Sequence, residues 1–112
     1  MDCVFCNIVN KTIPANFLYE TASVFVVNDL YPKAKVHVLV IPKRHIANLN
    51  ELTEANVSIM QDIGLAIKAV TAQLNIAKTG YKVICNNGQD GGQVIPHLHF
   101  HVLGGEAIRG VT

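Results

Sequence analysis

Residues 96–105 read PHLHFHVLGG, and they set His97, His99 and His101 at every second position. A β-strand has a side-chain period of two, so this spacing puts the three imidazoles on one face and Leu98, Phe100 and Val102 on the other. A helix cannot do this, because its position i+2 points away from i. The stretch therefore predicts a strand over 95–103. Its apolar face packs on a helix, and its histidine face lies open to a ligand or lines a cleft.

The rest of the chain supplies the partners. Residues 81–86, YKVICN, follow Gly80 and read as a strand. Residues 35–42, KVHVLVIP, are almost wholly apolar or β-branched, which predicts a central strand ended by Pro42. FLYE (17–20) and SVFVVND (23–29) read as two strands joined by a tight turn. Between 53 and 75, Val57, Met60, Ile63, Ile67, Val70 and Leu74 recur every three or four positions. That is the apolar stripe of a helix, a core-packing pattern, with Thr53 as its N-cap. A short helix over 3–11 carries Val4, Phe5 and Ile8 on one side, and Pro14 closes it. Four or five strands with one long helix inserted late predict an α+β fold with a mainly antiparallel sheet, in a single domain over 1–112.

Composition narrows the function classes. The chain has 112 residues, of which half are hydrophobic, and its mean hydropathy is +0.31. Either a well-buried core or an apolar dimer face accounts for that. The net charge is +1 with scattered lysines and arginines, which is not the basic footprint of a nucleic-acid binder. No long apolar run predicts a membrane span. The start, MDCVFCNIV, has Asp2 and no basic stretch, so no export signal is predicted. Three cysteines, an odd count, then favour a reducing cytoplasmic setting over a disulfide framework.

The histidine face fits three chemistries: a polar face without a function, a metal site, or a reactive imidazole flanked by two helpers. A histidine pair at i, i+2 can chelate zinc, but three in a row on one strand span too far to converge comfortably on one ion. Imidazole titrates near neutral pH and serves as nucleophile, acid or base. The segment just before bears on this choice. NNGQDGGQ (86–93) holds three glycines in eight residues, and such a loop can present successive N–H groups to an anion. No Gly-Lys-Ser/Thr follows, so it is not a P-loop. Set immediately before the histidines, it reads as a phosphate cradle beside a nucleophile.

Cys3 and Cys6 form a C-x-x-C pair. Position 3 leaves no room for the preceding strand of a thioredoxin-like unit, and a four-cysteine zinc site lacks its fourth member. Two cysteines with two histidines would complete a tetrahedral zinc site. The alternative is a pair of reduced thiols on the first helix.

The sequence resembles the histidine triad family. His97-Leu98-His99-Phe100-His101-Val102-Leu103 matches the triad signature. DCVFCNIV (2–9), Asp29 before a proline-containing loop, HVLVIPKRH (37–45) and NNGQDGGQ (86–93) resemble family segments in the family's order. The resemblance covers nearly the whole chain. It implies a five-stranded sheet that joins a second copy's sheet in a homodimer. It implies a hydrolase of purine nucleoside phosphoramidates or related nucleotides, working without nucleic acid or membrane partners. His99 is then the nucleophile toward the α-phosphorus, and His101 with the amides of Gly92, Gln93 and Val94 binds phosphate oxygens. The main-chain carbonyl near His97 fixes the His99 tautomer, and His37 supports the triad. Asp29 takes the ribose hydroxyls, and Asn86 and Gln93 touch phosphate and leaving group. Val4, Phe5, Ile8, Val27, Leu30 and Leu39 form the base pocket. The resemblance to bacterial members implies zinc held by Cys3, Cys6, His45 and His97, and in that case His101 takes the acid role.

Two departures bear on the branch. A serine that assists the leaving amine in phosphoramidases is replaced by Val94, and the tryptophan-bearing C-terminal tail is absent. A dinucleoside polyphosphate hydrolase and a nucleotide-binding regulatory protein with weak catalysis are the alternatives these departures raise.

Overall fold

The structure, a computed structural model, describes residues 3–110. Helix α1 (Val4–Val9) is followed by β1 (Tyr19–Glu20), β2 (Val24–Asn28) and β3 (Val36–Pro42). Helix α2 (Ile59–Gln73), β4 (Tyr81–Ile84) and β5 (Phe100–Gly104) complete the chain. The strands form one five-stranded sheet in the order β1-β2-β3-β5-β4, and each neighbouring pair is antiparallel. This is the α+β fold that the pattern predicts.

β3 lies in the middle because both of its faces are apolar. Val38 and Val40 join Val24 and Val26 of β2 and Ile59, Ile63, Ala66 and Val70 of α2 in one core cluster. Leu39 and Ile41 join Phe25, Val27 and Phe5 of α1 in a second cluster. The alternation of β3 thus separates two cores, one under each helix. Each aliphatic side chain removed from water here contributes about 1.5–3 kcal/mol.

The α2 stripe is real, but its beginning differs from the expectation. The helix starts at Ile59, with Ser58 at its N-cap, and Val57 stays 48% exposed. Thr53 does cap a turn. Its hydroxyl accepts from the Ala55 amide at 3.2 Å while its own amide donates to Asn56 Oδ1 at 2.7 Å. The main chain then mixes an i→i−4 bond, Val57 N–H to Thr53 O at 2.9 Å, with i→i−3 bonds, Asn56 N–H to Thr53 O and Ile59 N–H to Asn56 O. The lead-in from Thr53 is thus a run of mixed turns, and the regular helix is established only at Ile59.

The last strand is shorter than the pattern predicts. Only Phe100–Gly104 is paired. Pro96 removes a donor, and the His97 amide turns back to Ile95 O at 2.8 Å, so the chain bends before the ladder begins. The two-residue alternation nevertheless holds. Leu98, Phe100 and Val102 all enter the α2-side cluster.

Candidate active site

Three of the chain's histidines are almost entirely buried: His37, His97 and His99. Buried imidazoles must find partners for both ring nitrogens, and those partners fix which nitrogen carries the hydrogen.

His99 Nδ1 lies 2.7 Å from the carbonyl oxygen of His97. A carbonyl only accepts, so the hydrogen is on Nδ1 and Nε2 keeps its lone pair. This is the state a nucleophilic imidazole needs. The ring is walled by Phe5, whose centroid is 5.3 Å away in an edge contact, and by His101 at 5.1 Å.

His37 and His101 form a relay. The Lys33 amide donates to His37 Nδ1 at 3.0 Å, which leaves the hydrogen on His37 Nε2. That nitrogen is 2.9 Å from His101 Nδ1 and 3.4 Å from Asp29 Oδ2. His101 Nδ1 therefore accepts, and His101 Nε2–H is left as a donor. The other Asp29 oxygen accepts from the Tyr31 amide at 2.8 Å. Burial, with the neighbouring His99 and His37 rings, pushes the His101 pKa down to about 4. Burial also lowers the pKa of His37, against the opposing pull of Asp29. Both rings are neutral near pH 7 in this state.

Asp29, His37 and His101 stand close enough together for a metal site. The tautomer of His37 argues against one. Its Nδ1 lone pair is committed to an amide hydrogen, so its Nε2 carries a hydrogen and cannot ligate. The second cluster is different. Cys3, Cys6, His45 and His97 bring one ligand atom each to within 4.8 Å of one another. His97 Nε2 lies 2.8 Å from Pro42 O, so it donates there and leaves Nδ1 bare. That bare nitrogen is 3.3 Å from Cys3 Sγ and 3.7 Å from Cys6 Sγ, and His45 Nδ1 is 3.2 Å from Cys6 Sγ. A tetrahedron with zinc–sulfur bonds of about 2.3 Å and zinc–nitrogen bonds of about 2.0–2.1 Å has S···N edges of roughly 3.6 Å. The donor set fits zinc in type, number and spacing, with a carbonyl orienting the buried ligand. Burial and the adjacent Cys3 thiol push the Cys6 thiol up, so two thiolates need a cation to coexist here.

Residues 10–108 match the HIT domain family. The chain belongs to the HIT domain family. An uncharacterised HIT-like protein of Synechococcus elongatus is 40% identical over 107 residues, which is 96% of this chain and 93% of that protein. A histidine triad protein from Clostridium difficile superposes with a TM-score of 0.95 at 38% identity, covering 100% of this chain and 97% of the other. A HIT family hydrolase from Clostridium thermocellum gives 0.94 at 44% identity, covering 98% and 96%. The chain has the fold of HIT family hydrolases.

Within this HIT domain, the residues expected around a nucleotide are distributed unevenly. Phe5, Val27 and Leu39 are buried in the α1-side cluster, with Val4 and Ile8 half-buried against it. Leu30 stands apart at 87% exposed, as does Val94 at 89%. In the glycine loop, the Gly92 amide donates to Gln89 O and the Gln93 amide to Gly88 O, each at 3.0 Å. Of the three amides expected to meet phosphate, only that of Val94 has no acceptor within the described residues. The Asn86 amide nitrogen donates to Gly91 O at 2.7 Å, leaving its oxygen unused. The Gln93 side chain makes bonds to Gly88, Ala47 and Ile95. Three main-chain groups orient the histidines, Pro42 O, His97 O and the Lys33 amide, and sequence reasoning missed the first and the last. The His97 carbonyl was implied by the resemblance alone, and the other two carry no side-chain signal.

Proposed function

We propose that this protein is a nucleotidyl hydrolase that cleaves purine nucleoside phosphoramidates or related nucleotides at the α-phosphorus. The observation that carries the reading is the 2.7 Å contact from His99 Nδ1 to the His97 carbonyl. It holds the hydrogen on Nδ1 and leaves the Nε2 lone pair as the nucleophile. In the first step the Nε2–phosphorus bond forms and the bond to the leaving group breaks. The imidazolium so formed keeps its Nδ1–H on the His97 carbonyl. In the second step water attacks phosphorus, the Nε2–phosphorus bond breaks to return neutral His99, and the proton lost by water passes to solvent as the nucleoside monophosphate leaves. His101 Nε2–H donates to a phosphoryl oxygen that gains charge in the transition state. Asp29 offers its remaining lone pairs to ribose hydroxyls, and Val4, Ile8 and Leu30 present accessible apolar surface to a base.

One observation favours a second reading, hydrolysis of dinucleoside polyphosphates. A departing amine needs a proton. His97 is tied to Pro42 O and the thiols, His101 is held neutral, and Val94 has none to give. A phosphate leaving group departs as an anion without one.

We further propose structural zinc on Cys3, Cys6, His45 and His97. When bound, it supplies a cross-link between α1 and the triad segment and takes no part in the chemical steps. Cys3, Cys6 and Cys85 are free thiols, the state the cytoplasm maintains. Tyr81 and Val83, exposed large hydrophobic residues on β4 at one end of the sheet, support a homodimer, which light scattering tests directly.

The function is tested by following AMP release from an adenosine phosphoramidate and from a diadenosine polyphosphate, with wild type and His99→Ala. Turnover of either substrate that disappears in the variant supports the enzyme reading, and the preferred substrate chooses between the two branches. Wild-type rates equal to the variant background on both would remove it and leave a nucleotide-binding protein.

A further inference from the structure

The glycine loop is closed at its neck by a single residue. Gln93 N–H donates to Gly88 O at 3.0 Å, and Gly88 N–H donates back to Gln93 Oε1 at 2.9 Å. The main chain and side chain of Gln93 thus shut the loop over 88–93 as a ring. The other end of the same amide reaches outward. Gln93 Nε2 donates to Ala47 O at 2.7 Å and to Ile95 O at 3.0 Å. Ala47 lies two residues beyond His45, and Ile95 lies two before His97. Two further bonds support this join: Leu49 N–H to Asn87 Oδ1 at 2.9 Å and Leu98 N–H to Ile46 O at 2.7 Å.

We infer that Gln93 is a positioning residue: it holds the glycine loop shut and fixes it to the two segments that carry His45 and His97, and it does not contact substrate. The side-chain inventory supports this. Two carbonyls require two donors, and one amide requires an acceptor. Only a primary amide offers both from one group. Glutamate has no donor to give, and asparagine is one methylene short. With both hydrogens and the oxygen engaged in the free protein, a phosphate would have to displace internal bonds to reach this side chain. Its effect on a nucleotide passes through the loop, whose Val94 amide is left to donate. This last step rests on the proposed nucleotide reading.

Hydrogen exchange at the loop amides, measured by NMR with no nucleotide present, reads the clamp itself. In Gln93→Met the Gly88 amide loses its acceptor, and its exchange should speed by about tenfold, the worth of one hydrogen bond. Val38 and Val102, in the central strands, should stay within about twofold and certify the fold. Gln93→Glu keeps an acceptor for Gly88 while losing both donors. It should therefore protect Gly88 better than Gln93→Met does. Affinities for AMP and adenosine, by calorimetry, then read the consequence. Both variants should weaken AMP by about tenfold and leave adenosine within about twofold, because only the phosphate end depends on the loop. Unchanged Gly88 exchange in Gln93→Met overturns the inference. So does a loop that opens while AMP affinity holds, or an equal loss for AMP and adenosine. Wild-type protein that binds no AMP is a separate result, and it defeats the nucleotide reading instead.

Discussion

Replacing His101 with glutamine removes one titrating ring and leaves an acceptor for His37 Nε2–H. The ring is enclosed, with 22% of its side chain exposed. It faces His99, His37, Asp29 and Lys33, and burial with the neighbouring rings holds its pKa near about 4 against an ordinary value of 6.5. The sign follows from linkage. Below pH 6.5 the unfolded chain takes a proton at His101 that the folded state refuses until about pH 4. The stability is therefore complete above 6.5 and is lost progressively as pH falls through this window. The gap, at about 1.4 kcal/mol per pH unit, is a loss of roughly 3 kcal/mol, a large share of the roughly 5–15 kcal/mol that holds a domain together. Urea unfolding of wild type and His101→Gln at about pH 7.5 and about pH 4, with chelator in every sample, measures it. His37 and His97, both shifted down by burial, remain in both proteins, so the difference between the two losses isolates His101. Wild type should lose roughly 3 kcal/mol more than the variant between the two pH values. Equal losses, within about 0.5 kcal/mol, would refute the enclosed neutral ring.

The other expectations concern the thiol cluster and the leaving group. Cys6→Ser should lower zinc from near one equivalent to a small fraction in elemental analysis of untagged protein. Chelation should lower the melting temperature of wild type and leave that variant almost unmoved, because binding to the folded state alone is what raises it. Val94→Ser should speed phosphoramidate cleavage by about tenfold or more, on the scale of positioned proton transfer, and leave polyphosphate cleavage unchanged in the same AMP-release assay. A serine that helps both substrates alike, or neither, counts against the leaving group as the point of difference.

What the sequence reveals of this protein follows periodicity. The central position of β3 could be read because Val38, Val40, Leu39 and Ile41 need cover on both faces, and the structure gives them two separate cores. The triad's facing could be read because Leu98, Phe100 and Val102 must share a side. The α2 start could not, since the capping pattern at Thr53 is genuine but caps a turn ahead of the regular helix. The glycine loop was the least legible part. Its glycines suggest amides turned toward an anion, whereas Gly92 and Gln93 spend theirs inside the loop. Side-chain bonds from Gln93 to positions 47, 88 and 95 follow no sequence period. Orientation of the histidines by Pro42 O and the Lys33 amide is equally silent, because any residue type offers the same backbone groups.

His97 explains why the three triad histidines need not do the same work. Its ring lies in the thiol cluster, with Nε2–H on Pro42 O and Nδ1 toward Cys3 and Cys6. Its carbonyl holds the Nδ1 hydrogen of His99. The bend that takes His97 out of the β5 ladder sets its ring in the thiol cluster while its carbonyl accepts from His99. Phe5 completes the link from the other side. It is carried between Cys3 and Cys6 on α1, and it meets the His97 ring at 5.5 Å and the His99 ring at 5.3 Å. An ion on the four donors would therefore fix the residue whose backbone sets the His99 tautomer and the helix whose aromatic ring walls it. On this geometry a metal without any chemical role would still govern how well His99 is aimed.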